Sequence, residues 1–137
     1  MILVDSNILI DVLVAGQEWK EWSINQLSMR VVTDQLAINQ VVVAEVAPRY
    51  ASLDDFFARL ASFEIMFEAM DQDSAFAAGI AFQSYRSKRS QAGSVLPDFF
   101  IGGHAKMSGA MILTRDPRFY RAYFPNVPLI TPSKDDQ

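Results

Sequence analysis

Apolar positions along the chain follow two rhythms, short unbroken runs and longer stretches recurring every three to four residues, and the two alternate from end to end. Ile2 to Val4 is a run of the first kind, ended by Asp5-Ser6-Asn7, residue types that favour turns and helix caps. It predicts a buried strand followed by a short helix through Leu13. Gly16 breaks the pattern, and Gln17 to Met29 resumes it with Trp19, Trp22, Leu27 and Met29 on one wide helical face. Leu36 to Ile38 predicts a short strand. Val41 to Ala47 suits strand or helix by composition, and Asn39 as a cap favours helix. Pro48 bends or ends that helix, Ser52 caps another through Phe63, and Glu64 to Phe67 reads as a strand.

Asp71 to Arg89 carries Phe76, Ala77, Ile80, Ala81 and Ser84 on roughly one face of a long helix, whose small residues permit close packing. Its basic end, Arg86, Lys88 and Arg89, complements the helix dipole. Gln91 to Leu96 reads as a loop, Pro97 to Ser108 as a helix and Ala110 to Leu113 as a buried strand. Thr114 to Pro117 then turns into a short helix around Arg118 to Tyr123, and Val127 to Ile130 is the last strand. Such alternation predicts an α/β fold, a three-layer α/β/α domain on a mainly parallel sheet. With no repeat or linker, residues 1–132 are expected to form one domain and 133–137 a structureless tail.

Composition narrows the chemistry. A chain of 137 residues can bury a core without staples, and the lack of cysteine excludes disulfides, thiolate zinc sites and a cysteine nucleophile. It suits a reducing cytoplasm, and no apolar run is long enough for a signal peptide or membrane helix. The net charge of -4 argues against a broadly basic surface for nucleic acid. The two are reconciled if the negative charge gathers at a site where metal ions reverse its local sign.

Four carboxylates stand out. Asp5 follows the first strand and Asp116 follows Met111-Ile112-Leu113, at the strand ends where open α/β sheets bind ligands. Both also suit helix caps, Asp116 with Pro117 behind it. Glu45, among Val41 to Ala47, reads as a largely buried acid that needs a partner, either a site or an ion pair with Arg49. Asp98, before Phe99 and Phe100, either joins the site or simply favours its helix dipole. Gathered together, four such acids repel one another, and the cluster folds only if protons or cations neutralise it. Magnesium or manganese, hard ions that prefer oxygen, suit it.

His104 projects about 120° away from Asp98 around its helix and reads as structural. Arg115, Arg118 and Arg121 bracket Asp116; Arg115 and Arg118 are the candidates for substrate phosphates, with a solvated face as the alternative. Trp19, Trp22, Phe56, Phe57, Phe63 and Phe67 suit the core, and several could face a partner.

Val4-Asp5-Ser6-Asn7-Ile8-Leu9, Glu45 in its apolar helix, Asp98-Phe99-Phe100-Ile101-Gly102-Gly103-His104-Ala105 and Leu113-Thr114-Arg115-Asp116 with Phe119 resemble successive signature blocks of PIN-domain nucleases, over nearly the whole chain. Size and block order are most similar to VapC-type toxins of toxin–antitoxin pairs. The resemblance implies a PIN-like fold and a metal-dependent endoribonuclease, with Asp5, Glu45, Asp98 and Asp116 as metal-binding and catalytic acids. Asn7 and Thr114 would orient ligands or water from behind them. It also implies a cognate antitoxin, laid in a groove of Gln17–Met29 and Ser52–Phe63, and a homodimer. Gly102-Gly103 departs from the pattern, which commonly has alanine there. Two such glycines cost about 1 kcal/mol each in a helix, and mark either close packing or a looser site helix. Two further readings are a PIN nuclease of RNA processing without an antitoxin and an inactive PIN-fold binding module. The presence of all four acids disfavours the second.

Overall fold

The computed structural model describes residues 1–88 and 96–137. Five strands, β1 (Ile2–Val4), β2 (Leu36–Ile38), β3 (Ile65–Phe67), β4 (Met111–Leu113) and β5 (Leu129–Ile130), form one sheet in the order β3-β2-β1-β4-β5, every neighbouring pair parallel. Ile2, Leu3, Leu36, Ala37, Ile38, Ile112 and Leu113 are buried, so the three inner strands read as unbroken apolar runs because helices cover both faces. The sheet is flanked by α1 (Ser6–Leu13), α2 (Lys20–Arg30), α3 (Gln40–Val46), α4 (Leu53–Ala61), α5 (Gln72–Lys88), α6 (Leu96–Ser108) and α7 (Pro117–Tyr123). The expected three-layer α/β/α domain is what forms. The chain runs from β1 outward to β2 and β3 on one side, then returns to β4 and β5 on the other, so the order reverses between β1 and β4. That reversal opens a crevice at their carboxyl ends.

Local signals place most boundaries. Asn39 Oδ1 accepts from the Val41 and Val42 amides and caps α3, while Ser52 Oγ accepts from the Asp55 amide and caps α4. Pro48 ends α3 in a 3-10 turn, Ala47–Arg49.

Several expectations are corrected. α2 starts at Lys20, and Met29 is 56% exposed because the buried stripe runs through Ser23 and Leu27. On α5 the face read from the sequence is only partly covered: Phe76 is 72% and Ile80 53% exposed while Ala77 and Ala81 are half-buried, and the buried residues are Ser74, Ala78 and Tyr85. The reason lies in α6. A Cβ on Gly103 would stand 2.5 Å from the Ser74 carbonyl oxygen, and one on Gly102 would overlap the Phe124 ring. Small residues on both helices let the backbones meet, and this decides the rotation of α5 over the pull of its larger side chains. The glycine pair therefore marks close packing.

The tail, expected to be structureless, forms a 3-10 turn at Lys134–Asp136, because the Ser133 hydroxyl and amide both donate to Asp136 Oδ2. Gln91 to Val95 of the expected loop and Arg89 lie outside the described residues. Phe56 belongs to the core, Trp19, Trp22, Phe57 and Phe63 are half-buried, and Phe67 is exposed on edge strand β3. Among the described residues no helix is long and apolar enough to cross a membrane.

Candidate active site

The crevice at the β1/β4 switch point is built by the ends of β1 and β4 together with the helices α3 and α6. β1 delivers Asp5, which both caps α1 and lines the cavity: its Oδ1 accepts from the Ser6 amide at 2.8 Å at the start of α1. Its Oδ2 accepts from Thr114 Oγ1 at 2.8 Å and from the Tyr120 hydroxyl at 3.1 Å. β4 delivers Thr114, whose hydroxyl also accepts from the Asp116 amide at 3.0 Å and from Asn7 Nδ2 at 3.3 Å. One donor and two acceptors are thus all used. Asn7 Oδ1 accepts from the Arg115 amide at 3.1 Å, closing the link between the ends of the two strands. Thr114 thus touches Asp5 directly, whereas Asn7 touches Thr114 and the Arg115 amide and none of the four carboxylates.

Asp116 occupies the N-cap position of α7, followed by Pro117, yet its carboxylate makes no capping hydrogen bond and is exposed. Mere capping does not account for it. Glu45 corrects the expectation of burial: it is exposed, because α3 buries Val42 and Val46 on its other side. Its Oε1 accepts from Ser6 Oγ at 2.8 Å, which ties α3 to the start of α1. Arg49 does not form the alternative ion pair; its guanidinium donates to the Glu45 main-chain carbonyl at 2.7 Å.

Asp98 lies half-buried in the first turn of α6. A helix N-terminus alone would stabilise its charge. Instead burial, and then the charges of Asp5, Glu45 and Asp116, push its carboxyl from 3.8 up to about 7. Burial also raises the Asp5 carboxyl, against the hydrogen bonds from Thr114, Tyr120 and Ser6. All four acids, with Ser6, Asn7 and Tyr120, line one cavity of about 280 Å³.

Among the described residues no three acidic or histidine side chains stand in a ready-made ion-holding group. The donor set nevertheless fits a hard cation: four carboxylates converge on one cavity, and Asp98 registers the charge of the other three.

The guanidinium of Arg115 grips Asp11 of α1 in a two-point ion pair at 2.6 and 2.9 Å, which commits two of its five N–H donors inside the protein. Asp11 is 1% exposed, also accepts from Ser23 Oγ at 2.6 Å, and binds α1, α2 and the Asp116 loop together. Its signal in the sequence is a lone acid between Ile10 and Val12. Arg118 is exposed on α7. His104 stays out of the cavity: buried, its Nδ1 pairs with Asn39 Nδ2 at 3.1 Å, and burial lowers its pKa. Ser6 and Tyr120 were not singled out from the sequence. Ser6 follows Asp5 directly, but nothing in the pattern of α7 distinguishes Tyr120 from a core aromatic.

A parallel sheet with an acid-lined cavity at its topological switch point defines the class, an α/β protein with four carboxylates around one crevice. Residues 2–125 match the PIN domain family, and the chain belongs to it. No curated protein matches the chain. Among solved structures, the chain is similar to a chain of VapBC2 from Rickettsia felis bound to a DNA fragment from their promoter, at 20% identity and TM-score 0.72, covering 96% of this chain and 98% of that one. A toxin–antitoxin complex from Klebsiella pneumoniae matches at 25% identity and TM-score 0.63, covering 97% and 98%. FitAcB from Neisseria gonorrhoeae matches at 19% and 0.67, covering 96% and 97%.

Proposed function

We propose that the chain is a divalent-metal-dependent endoribonuclease, the toxin of a type II toxin–antitoxin pair, acting in the cytoplasm on RNA phosphodiesters. The observation that carries the reading is the convergence of Asp5, Glu45, Asp98 and Asp116 on one cavity, with Asp98 raised to about 7 by burial and by the other three. Asp5, Glu45, Asp98 and Asp116 would hold magnesium or manganese, which when bound supplies an activated water and neutralises a leaving oxygen. Thr114, Tyr120 and the Ser6 amide hold Asp5 in one orientation, and Ser6 Oγ does the same for Glu45. Asn7 fixes the Arg115 amide and so the loop that presents Asp116. Arg118, exposed on α7, would meet substrate phosphate.

The partner reading draws support from the likeness to chains of VapBC2 and of the Klebsiella pneumoniae toxin–antitoxin complex. An antitoxin tail that brings a cation to the acidic cavity would compete for the same negative field as the metal. The exposed apolar face of α5, with Phe76 and Ile80, supports a homodimer. The test is co-expression with the product of the neighbouring gene, followed by RNA cleavage with and without it. Cleavage by the chain alone, silenced by a co-purifying partner, is the expected result. Cleavage that no neighbouring product affects removes the toxin assignment and leaves an RNA-processing nuclease; no cleavage of any RNA removes both.

A further inference from the structure

Tyr120 is 1% exposed, and its ring packs edge-on against Phe119 at 5.2 Å. A phenylalanine would fill that space without burying a hydroxyl, so the hydroxyl is accounted for by its partner, Asp5 Oδ2. An ionised carboxylate has about four acceptor positions on its two oxygens. Tyr120 and Thr114 fill both positions of Oδ2, and the Ser6 amide takes one on Oδ1. One position on Oδ1 remains.

We propose that Tyr120 is a specificity-determining positioning residue: by completing Oδ2, it limits Asp5 to offering a cation a single oxygen, and so favours magnesium or manganese over calcium. Small hard ions demand near-octahedral geometry and keep much of their water, whereas calcium accepts both oxygens of a carboxylate in a flexible shell. Tyr120 also lies one helical turn beyond Asp116, so α7 sets the position of one acid and the oxygen offered by another. The inference rests on the metal-binding reading above but names a residue that reading does not need.

The experiment compares the full chain with Tyr120→Phe, which keeps the ring and its packing. Each is titrated with Mn²⁺, followed by the electron paramagnetic resonance of the free ion, and then with Ca²⁺ in competition, alongside thermal melting. Tyr120→Phe is expected to melt cooperatively and to lose about ten-fold in Mn²⁺ affinity, the scale seen when a partner of a metal ligand is removed. Its Ca²⁺ affinity falls less, so the preference for manganese narrows. Unchanged affinities in folded Tyr120→Phe overturn the inference alone, and an equal loss for both ions, the mark of a loosened site, overturns it too. Wild type that binds no Mn²⁺ overturns it together with the metal reading.

Discussion

Burial and like charge act on Asp98 in the same direction, and the sign of the resulting pH dependence follows. Its folded carboxyl, at about 7, lies above the ordinary 3.8. Between those values the folded chain keeps a proton that the unfolded chain has released, so Asp98 makes stability fall as pH rises through that window, with no further fall above it. Asp5, raised as well, adds to the same trend. In chelator, Asp98→Asn is therefore expected to melt above wild type at pH 8, with the gap shrinking toward pH 5; a lower melting point at pH 8 would contradict the repulsion. At this scale the sequence was legible where an acid follows a strand, as with Asp5 and Asp116. It was not where a side chain's partner is remote: Arg115 is claimed by Asp11, which lies 104 positions away, and spacing around Asp116 carries no trace of that. Apolar neighbours in sequence predict burial for Glu45, yet a single helix turns one face to the core and another to the cavity.

Among the elements, α6 carries Asp98 and is held against α5 and Phe124 by its two glycines. Gly103→Ala meets the backbone of Ser74 and Ala78, which cannot step aside as a flexible side chain would. The gain in helix propensity is outweighed, and the substitution is expected to destabilise the protein by about 1–3 kcal/mol, read by urea unfolding, with reduced cleavage because Asp98 moves with its helix. A neutral or stabilising effect would contradict the close approach. The elements themselves were legible from period and caps, since Asn39 and Ser52 do in the structure what their positions suggest. The rotation of α5 was not, because Phe76 and Ile80 outweigh Ser74 and Ala78 in any reading by hydrophobicity, while packing is decided by which side chains are small enough.

For the whole molecule, the order β3-β2-β1-β4-β5 explains why residues as distant as Asp5 and Asp116 meet: β1 and β4 pair at the point where the sheet reverses, and their ends open side by side. Strand and helix alternation made the layers legible, but not the strand order, which rests on pairings that no local pattern contains. The same architecture leaves Phe76 and Ile80 of α5 facing outward. If that face joins two copies, Phe76→Asp shifts the sedimentation of the free protein from dimer to monomer, and a wild-type monomer, or a variant that stays dimeric, would contradict it. The central claim is that the four acids make a metal-dependent ribonuclease. Its most direct test is RNA cleavage by the purified wild type and by folded Asp98→Asn, each with Mg²⁺ or Mn²⁺ and each in excess chelator. Cleavage by wild type only with metal, and none by the variant, is the predicted result; full activity in chelator, or an unchanged rate in Asp98→Asn, would contradict it.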